Sequence, residues 1–217
     1  FDPIRDEGAA YADARLKVLA GDVHRARRPE APAPRAAKVM TMRADLSMQE
    51  EGLFEYHLYT LQRPTTLKQN QTKQVQLLDA PSIGVGKDYV LRGGGGYYQG
   101  PWASGPGDKE KVQVFLKFKN SEAAGLGQPL PKGIVRVYKR DKAGSPQFIG
   151  EDSIDHTPKN ENVRLEMGNA FDVAAERKQT DYKRVSAKAH ESAFELRIRN
   201  HKDTPVTVRV IEPLGGD

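Results

Sequence analysis

Apolar and polar residues alternate along most of the chain, which is the pattern of strands with one buried and one solvated face. The run Lys111–Lys119 shows the alternation most clearly, and its apolar side chains on one face are Val112, Val114, Leu116 and Phe118. Weaker alternating or β-prone runs are Arg15–Val18, Leu53–Tyr59, Gln74–Leu77, Lys87–Leu91, Gly133–Lys139, Gln147–Gly150, Asn162–Met167, Phe171–Lys178, Glu191–Arg199 and Pro205–Ile211.

Turn-forming residues separate these runs, at Lys142–Pro146, Met167–Asn169 and His201–Pro205. Short strands that are separated by turns at regular intervals are typical of antiparallel all-β folds. The sequence therefore predicts an all-β protein, built as one or more antiparallel β-sandwiches with long loops and little helix.

Composition shifts along the chain predict three parts. Residues 1–25 are expected to be a strand-bearing segment that belongs to the β-rich region. Residues 26–52 are rich in proline and alanine, so they are predicted to be a linker or mobile loop. Residues 53–217 are predicted to form the antiparallel sandwich body. We also expect the chain to be an internal or processed fragment of a longer protein, because it begins with Phe1.

Composition excludes several classes of function. The 217 residues include no cysteine, so thiol catalysis and cysteine-ligated metals are excluded. The 34 basic and 29 acidic residues give a net charge of only +5, and the two signs are interspersed, so no nucleic-acid partner is predicted. The basic residues on the later strands alternate with acidic ones and predict cross-strand ion pairs. No apolar run is long enough to span a membrane.

Asp152, Asp155 and His156 form the densest group of ligand-type side chains. They could hold a divalent cation, which would permit a metal-dependent hydrolase. The alternative, which we favour, is a turn before Pro158 whose polar side chains bond to nearby backbone. No catalytic residue and no cofactor is predicted, and the chain is not expected to be an enzyme.

Tyr97, Tyr98 and Trp102 follow the glycine run Gly93–Gly96. Aromatic side chains on such a loop could stack on sugar rings or hold another ligand, so a carbohydrate- or ligand-binding sandwich is the alternative function. The same aromatic rings could instead fold back onto the sheet. The residues alone leave both interpretations open.

Several phrases of the chain resemble a bacterial family known as domain of unknown function 4139, which is related to the mucoidy-inhibitor-A-like proteins. The main phrases are Leu130–Arg140, Phe148–Lys159, Gly168–Val173, Glu176–Thr180 and Arg199–Lys202. The resemblance implies a β-rich protein of the periplasm, the cell surface or the extracellular space. It implies no catalytic residues.

Together these observations favour a non-enzymatic module for protein interaction or surface assembly. Its expected partners are other envelope or surface proteins, and self-association through exposed sheet edges is a further expectation.

Overall fold

Strands dominate the computed structural model of the chain, which describes residues 10–22, 48–68, 73–80, 82–94, 100–101, 108–187 and 189–213. The part described is all-β and has no helix of seven or more residues, as predicted. Its helical structure is limited to a 3-10 turn at Glu122–Ala124. None of the described segments forms a helix with the length and apolar character needed to cross a membrane.

The described residues form strands with the following bounds: β1 (Tyr11–Ala14), β2 (Lys17–Ala20), β3 (Met48–Leu53), β4 (Tyr56–Leu61), β5 (Thr65–Leu67), β6 (Gly86–Arg92), β7 (Asp108–Lys119), β8 (Gly133–Arg140), β9 (Pro146–Ile154), β10 (Asn162–Arg184), β11 (His190–Asn200) and β12 (Val208–Ile211).

The chain divides into two compact units, and each is assembled from separate stretches of sequence. The first comprises Phe1–Ile83, Asn120–Gly133 and Ile154–Glu161, and the second comprises the remaining segments, Gly84–Lys119, Ile134–Ser153 and Asn162–Asp217. The predicted body over residues 53–217 thus contributes to both units. Composition along the chain does not reveal this division, because strand pairing joins segments that are distant in sequence.

The predicted linker over residues 26–52 needs correction at its end. Met48–Gly52 lie in β3, where Met48 is paired with Leu61 and Glu50 with Tyr59 of β4. This cross-strand pairing makes these residues part of a sheet although their composition resembles that of a loop. Residues 26–47 lie outside the described residues.

The first unit contains a three-stranded sheet in the order β2-β4-β3 and a two-stranded sheet of β1 and β5. The aromatic run predicted as one strand, Leu53–Tyr59, instead spans the corner of the β3–β4 hairpin, because Leu53 ends β3 and Tyr56–Tyr59 lie in β4. Phe54 has a positive φ of 60°, which turns the chain at that point. The side chains of Tyr59 and Leu61 on the central strand β4 are buried. The predicted strand at Gln74–Leu77 is absent, and these residues are irregular.

The second unit contains a five-stranded sheet in the order β11-β10-β7-β6-β12. All neighbours in this sheet are antiparallel except β6 and β12, which are parallel. The parallel pair is possible because the long stretch from β7 to β11 lies between these two strands in sequence. One apolar cluster packs on this sheet and consists of Tyr89, Leu91, Val112, Val173 and Ala175.

β10 corrects another detail of the prediction. The glycine at Gly168 suggested a turn between two strands, but Asn162–Arg184 is one strand of 23 residues. Gly168 has a positive φ of 97°, and the pairing with β7 shifts register between Glu166 and Ala174. The turn signal therefore marks an irregularity within a continuous strand.

β8 and β9 form a separate two-stranded hairpin. Its connection is the turn predicted at Lys142–Pro146. An Asp141 side-chain oxygen accepts hydrogen bonds from the backbone nitrogens of Ala143 and Ser145, both at 2.9 Å. The hydrogen bond from the Gln147 side chain is the largest cause that lowers the pKa of Asp141, and these backbone bonds lower it further. The turn is therefore closed by its own side chain.

Candidate interaction surface

Asp152, one of the three predicted metal ligands, lies in β9 and binds backbone instead. One of its oxygens accepts a hydrogen bond from the backbone nitrogen of Ser153 at 2.8 Å. The other accepts from the backbone nitrogen of Glu166 on β10 at 2.7 Å. Both oxygens have donors in the protein, and the carboxylate connects β9 to β10.

Asp155 and His156 belong to the first unit, and both contact Lys132. The Lys132 ammonium lies 3.1 Å from Oδ1 of Asp155, and its backbone nitrogen donates to Nδ1 of His156 at 3.2 Å. The hydroxyl of Thr157 donates to the Asp155 carbonyl oxygen at 2.8 Å. Only the bond from Thr157 is local, as expected for a polar turn; the contacts of the Asp155 and His156 side chains with Lys132 join residues that are distant in sequence.

The structure does not assemble the predicted metal ligands. No group of three or more histidine, aspartate or glutamate side chains in the described ranges is arranged to hold a metal ion. The sequence placed the three residues together only because they are close along the chain. Asp152 lies on a strand that contacts β10, whereas the other two lie in the loop that follows.

Tyr97, Tyr98 and Trp102 lie outside the described residues, so stacking of a sugar on these rings stays a prediction. The described residues on either side of this segment are bonded to strands. The backbone nitrogen of Gly93 donates to the carbonyl oxygen of Ile211 at 2.9 Å. The Gln179 side chain donates to the carbonyl oxygen of Gly100 at 3.3 Å.

Arg177 is the centre of a buried ion cluster that the sequence did not reveal. Its guanidinium binds the carboxylates of Glu110, at 2.8 Å, and Glu212, and its side chain is only 2% exposed. Burial alone would lower the pKa of Arg177, but the hydrogen bonds to the two carboxylates outweigh burial and raise it. Both partners are far away in sequence, so alternation on β10 gave no signal of the cluster.

Two exposed basic residues of the strands form cross-strand ion pairs of the predicted kind. Arg199 on β11 lies 3.2 Å from Glu176 on β10, and Arg136 on β8 lies 2.9 Å from Glu151 on β9. Each pair joins neighbouring strands. These pairs are solvated, so they add little stability.

The β8–β9 hairpin exposes a group of large apolar side chains. Ile134, Tyr138 and Phe148 are 62%, 56% and 55% exposed. The Tyr138 and Phe148 rings meet edge to face, with centroids 5.7 Å apart. We call Ile134, Tyr138 and Phe148, together with the ion pair of Arg136 and Glu151, the hairpin face.

Alternation explains why this side of the hairpin is exposed. Val135 and Val137 of β8 point to the opposite side and are half-buried, so Ile134 and Tyr138 point outward. A single exposed apolar residue is ordinary, and Phe171 in β10 is an example at 98% exposure. Grouped aromatic and aliphatic side chains bordered by a charged pair are instead typical of binding surfaces.

The chain has no match among known proteins in three comparisons: no family model, no curated protein and no solved structure matches it. The resemblance to domain of unknown function 4139 therefore stays a prediction. Assignment of a function has to begin from the hairpin face itself.

Proposed function

We propose that the protein is a non-catalytic module that binds another protein through the hairpin face. The observation that carries this proposal is the edge-to-face pair of Tyr138 and Phe148, each more than half exposed. Aromatic side chains supply much of the energy of protein interfaces, because they bury a large area at a small cost in conformational entropy. Burying these rings against a partner would remove apolar surface from water and so stabilise the complex.

The charged pair on the same face supports binding to a protein. Arg136 and Glu151 neutralise each other at 2.9 Å and border the apolar side chains. A polar border around a small apolar centre is the arrangement found in protein interfaces. The resemblance stated above further favours a partner among envelope or surface proteins, with the module in the periplasm, on the cell surface or secreted.

Site-specific photo-cross-linking in cells of the source organism tests this proposal. A photo-reactive amino acid replaces Tyr138 in one sample and Phe171, which is 98% exposed, in another. We expect a discrete cross-linked protein from position 138 and none from position 171. The substitution Phe148→Ser should abolish the adduct from position 138 without changing the thermal midpoint of the protein by more than a few degrees.

Two results would contradict the proposal. One is the same adduct from both positions, since this would mean that the aromatic group on the hairpin is not selective. The other is an adduct from position 138 that persists with unchanged yield in the Phe148→Ser variant.

A further inference from the structure

The two strands of the hairpin have different neighbours. β9 contacts β10, because Asp152 accepts a hydrogen bond from the Glu166 nitrogen at 2.7 Å and the Gly150 backbone packs beside Met167. β8 is hydrogen-bonded to β9, and no other strand within the described residues is paired with it. Its far edge therefore presents backbone donors and acceptors that are outside any described sheet.

The two strands also differ in charge. β8 carries Arg136, Lys139 and Arg140 and no acidic residue, whereas β9 carries Glu151 and Asp152 and no basic residue. Arg136 is paired with Glu151, and Arg140 donates to the Gly144 carbonyl oxygen at 2.8 Å. In the part of the chain that the structure describes, most of the positive charge of β8 thus has no partner carboxylate.

We propose that the far edge of β8 binds an extended segment of a partner protein in which apolar and acidic residues alternate. The segment adds a strand to the hairpin, so its backbone pairs with β8. Side chains alternate between the two faces of β8, so the carboxylates of the segment meet Lys139 on one face and its apolar side chains pack beside Tyr138 on the other. This inference rests on the proposed function and specifies the chemistry of the partner.

Charge complementarity selects this occupant over a second copy of the chain. Pairing β8 with β8 of another molecule would bring the basic residues of both strands together, and neither strand carries a carboxylate to balance them. Like charges on paired strands are destabilising. The positive charges therefore oppose self-association through this edge, and the same charges attract an acidic strand.

Binding of a defined peptide to the whole chain tests the proposal. The probe is a fluorescent peptide in which valine and glutamate alternate over the length of β8. The controls are the same peptide with lysine for glutamate and the acidic peptide with a central proline. We expect fluorescence anisotropy to show binding of the acidic peptide alone, because lysine reverses the charge and proline interrupts the backbone pairing.

A charge reversal within the chain provides the matched comparison. Lys139→Glu should weaken binding of the acidic peptide by about tenfold or more. Lys142→Glu makes the same change of charge in the exposed turn, beyond the end of β8, and should have a much smaller effect. On peptide addition, the backbone amides of β8 should become protected from hydrogen exchange.

Equal binding of the acidic and lysine peptides, or no binding of either, would overturn the inference. So would dimerisation of the chain alone through β8, detected by sedimentation and abolished by a proline in that strand. The cross-linking experiment at position 138 separates this failure from that of the proposed function. If it still captures a protein while no acidic peptide binds, the hairpin face binds a partner of different chemistry.

Discussion

The guanidinium carbon of Arg164 lies 3.4 Å from the centre of the Phe115 ring. Phe115 is at a position of β7 where strict alternation predicts a solvent-exposed side chain, because Val112 and Val114 occupy the other face. It is nevertheless only 8% exposed. A cation from the neighbouring strand β10 thus shields an aromatic ring on the polar face of the sheet.

Removal of this guanidinium should destabilise the protein. We expect Arg164→Ala to lower the free energy of unfolding by about 1–2 kcal/mol, through loss of the cation–π contact and exposure of the ring. The control is Arg136→Ala, which removes a solvated ion pair and should cost about 0.5 kcal/mol. Urea unfolding of both variants provides the measurement, and equal losses would show that Arg164 does not protect Phe115.

Tyr59 should make stability depend on pH in the alkaline range. It is 1% exposed, its hydroxyl donates to the Pro129 carbonyl oxygen at 2.7 Å, and burial, aided by Glu50, raises its pKa from 10.0 to about 12. Because the folded state favours the protonated phenol, its contribution is complete below pH 10. That contribution, about 2–3 kcal/mol, is lost as the pH rises to about 12.

The comparison with Tyr59→Phe isolates this effect. The variant should lose about 1 kcal/mol at neutral pH, because it lacks the hydrogen bond to Pro129. Its stability should then fall less steeply than that of the wild type between about pH 10 and 12. Parallel curves of unfolding free energy against pH would contradict the assignment.

Substitution of Arg177 should destabilise the protein more than substitution of an exposed charged residue in the second unit. Arg177→Leu leaves the carboxylates of Glu110 and Glu212 without the guanidinium that binds both, and we expect a loss of about 3–5 kcal/mol. Arg197→Leu removes an arginine that is 62% exposed and should cost less than about 1 kcal/mol. Similar losses in denaturant unfolding would show that the buried cluster has no special role.

Asn120 joins several loop segments of the first unit. Its fully buried side-chain nitrogen donates to the carbonyl oxygens of Gln128 and Pro158 at 2.7 and 2.9 Å. We expect Asn120→Ala to cost about 2–3 kcal/mol, and Asn120→Asp to cost more because it places an acceptor against two carbonyls. Asn200→Ala is the control, because it removes two exposed bonds, one to the Thr204 carbonyl oxygen and one from the Lys202 backbone nitrogen. In thermal unfolding, the midpoint should be highest for Asn200→Ala, lower for Asn120→Ala and lowest for Asn120→Asp.

Gly125 should not tolerate a side chain. Its φ is +86°, and a Cβ atom there would collide with the backbone oxygen of Ser82, which cannot move independently of the chain. We expect Gly125→Ala to cost about 1–3 kcal/mol. Gly133→Ala, where no atom lies within 4 Å and no positive φ occurs, should be close to neutral. Equal thermal midpoints for the two variants would contradict this steric argument.

Strand content could be predicted from the sequence because each strand carries its own alternation. The β7 prediction over Lys111–Lys119 falls within Asp108–Lys119 of the structure. Predictions from local composition were wrong where pairing with another strand determines the backbone conformation. Met48–Gly52 became a strand because β4 supplies a partner, and Gly168 did not end β10 because pairing continues on either side of the irregular stretch.

The candidate surface could be anticipated only in part. The apolar residues Ile134, Val135 and Val137 predicted a strand, but whether its outer side is exposed depends on what packs against it, which the sequence of one strand does not specify. The Arg177 cluster was hidden for a related reason. Glu110 and Glu212 lie 67 and 35 residues away, and only the order of strands in the sheet brings them together.

β10 has hydrogen-bonded neighbours on both sides only in its middle. Within the described pairings, Asn162–Glu166 are paired with β7 alone, Lys178, Gln179 and Asp181–Arg184 with β11 alone, and Ala174–Arg177 with both. A load applied to β7 and β11 along the strands would therefore be carried by the β10 backbone from the residues paired with one strand to those paired with the other. The load would act along the strands, in shear, so several hydrogen bonds would have to break at once before the sheet could separate.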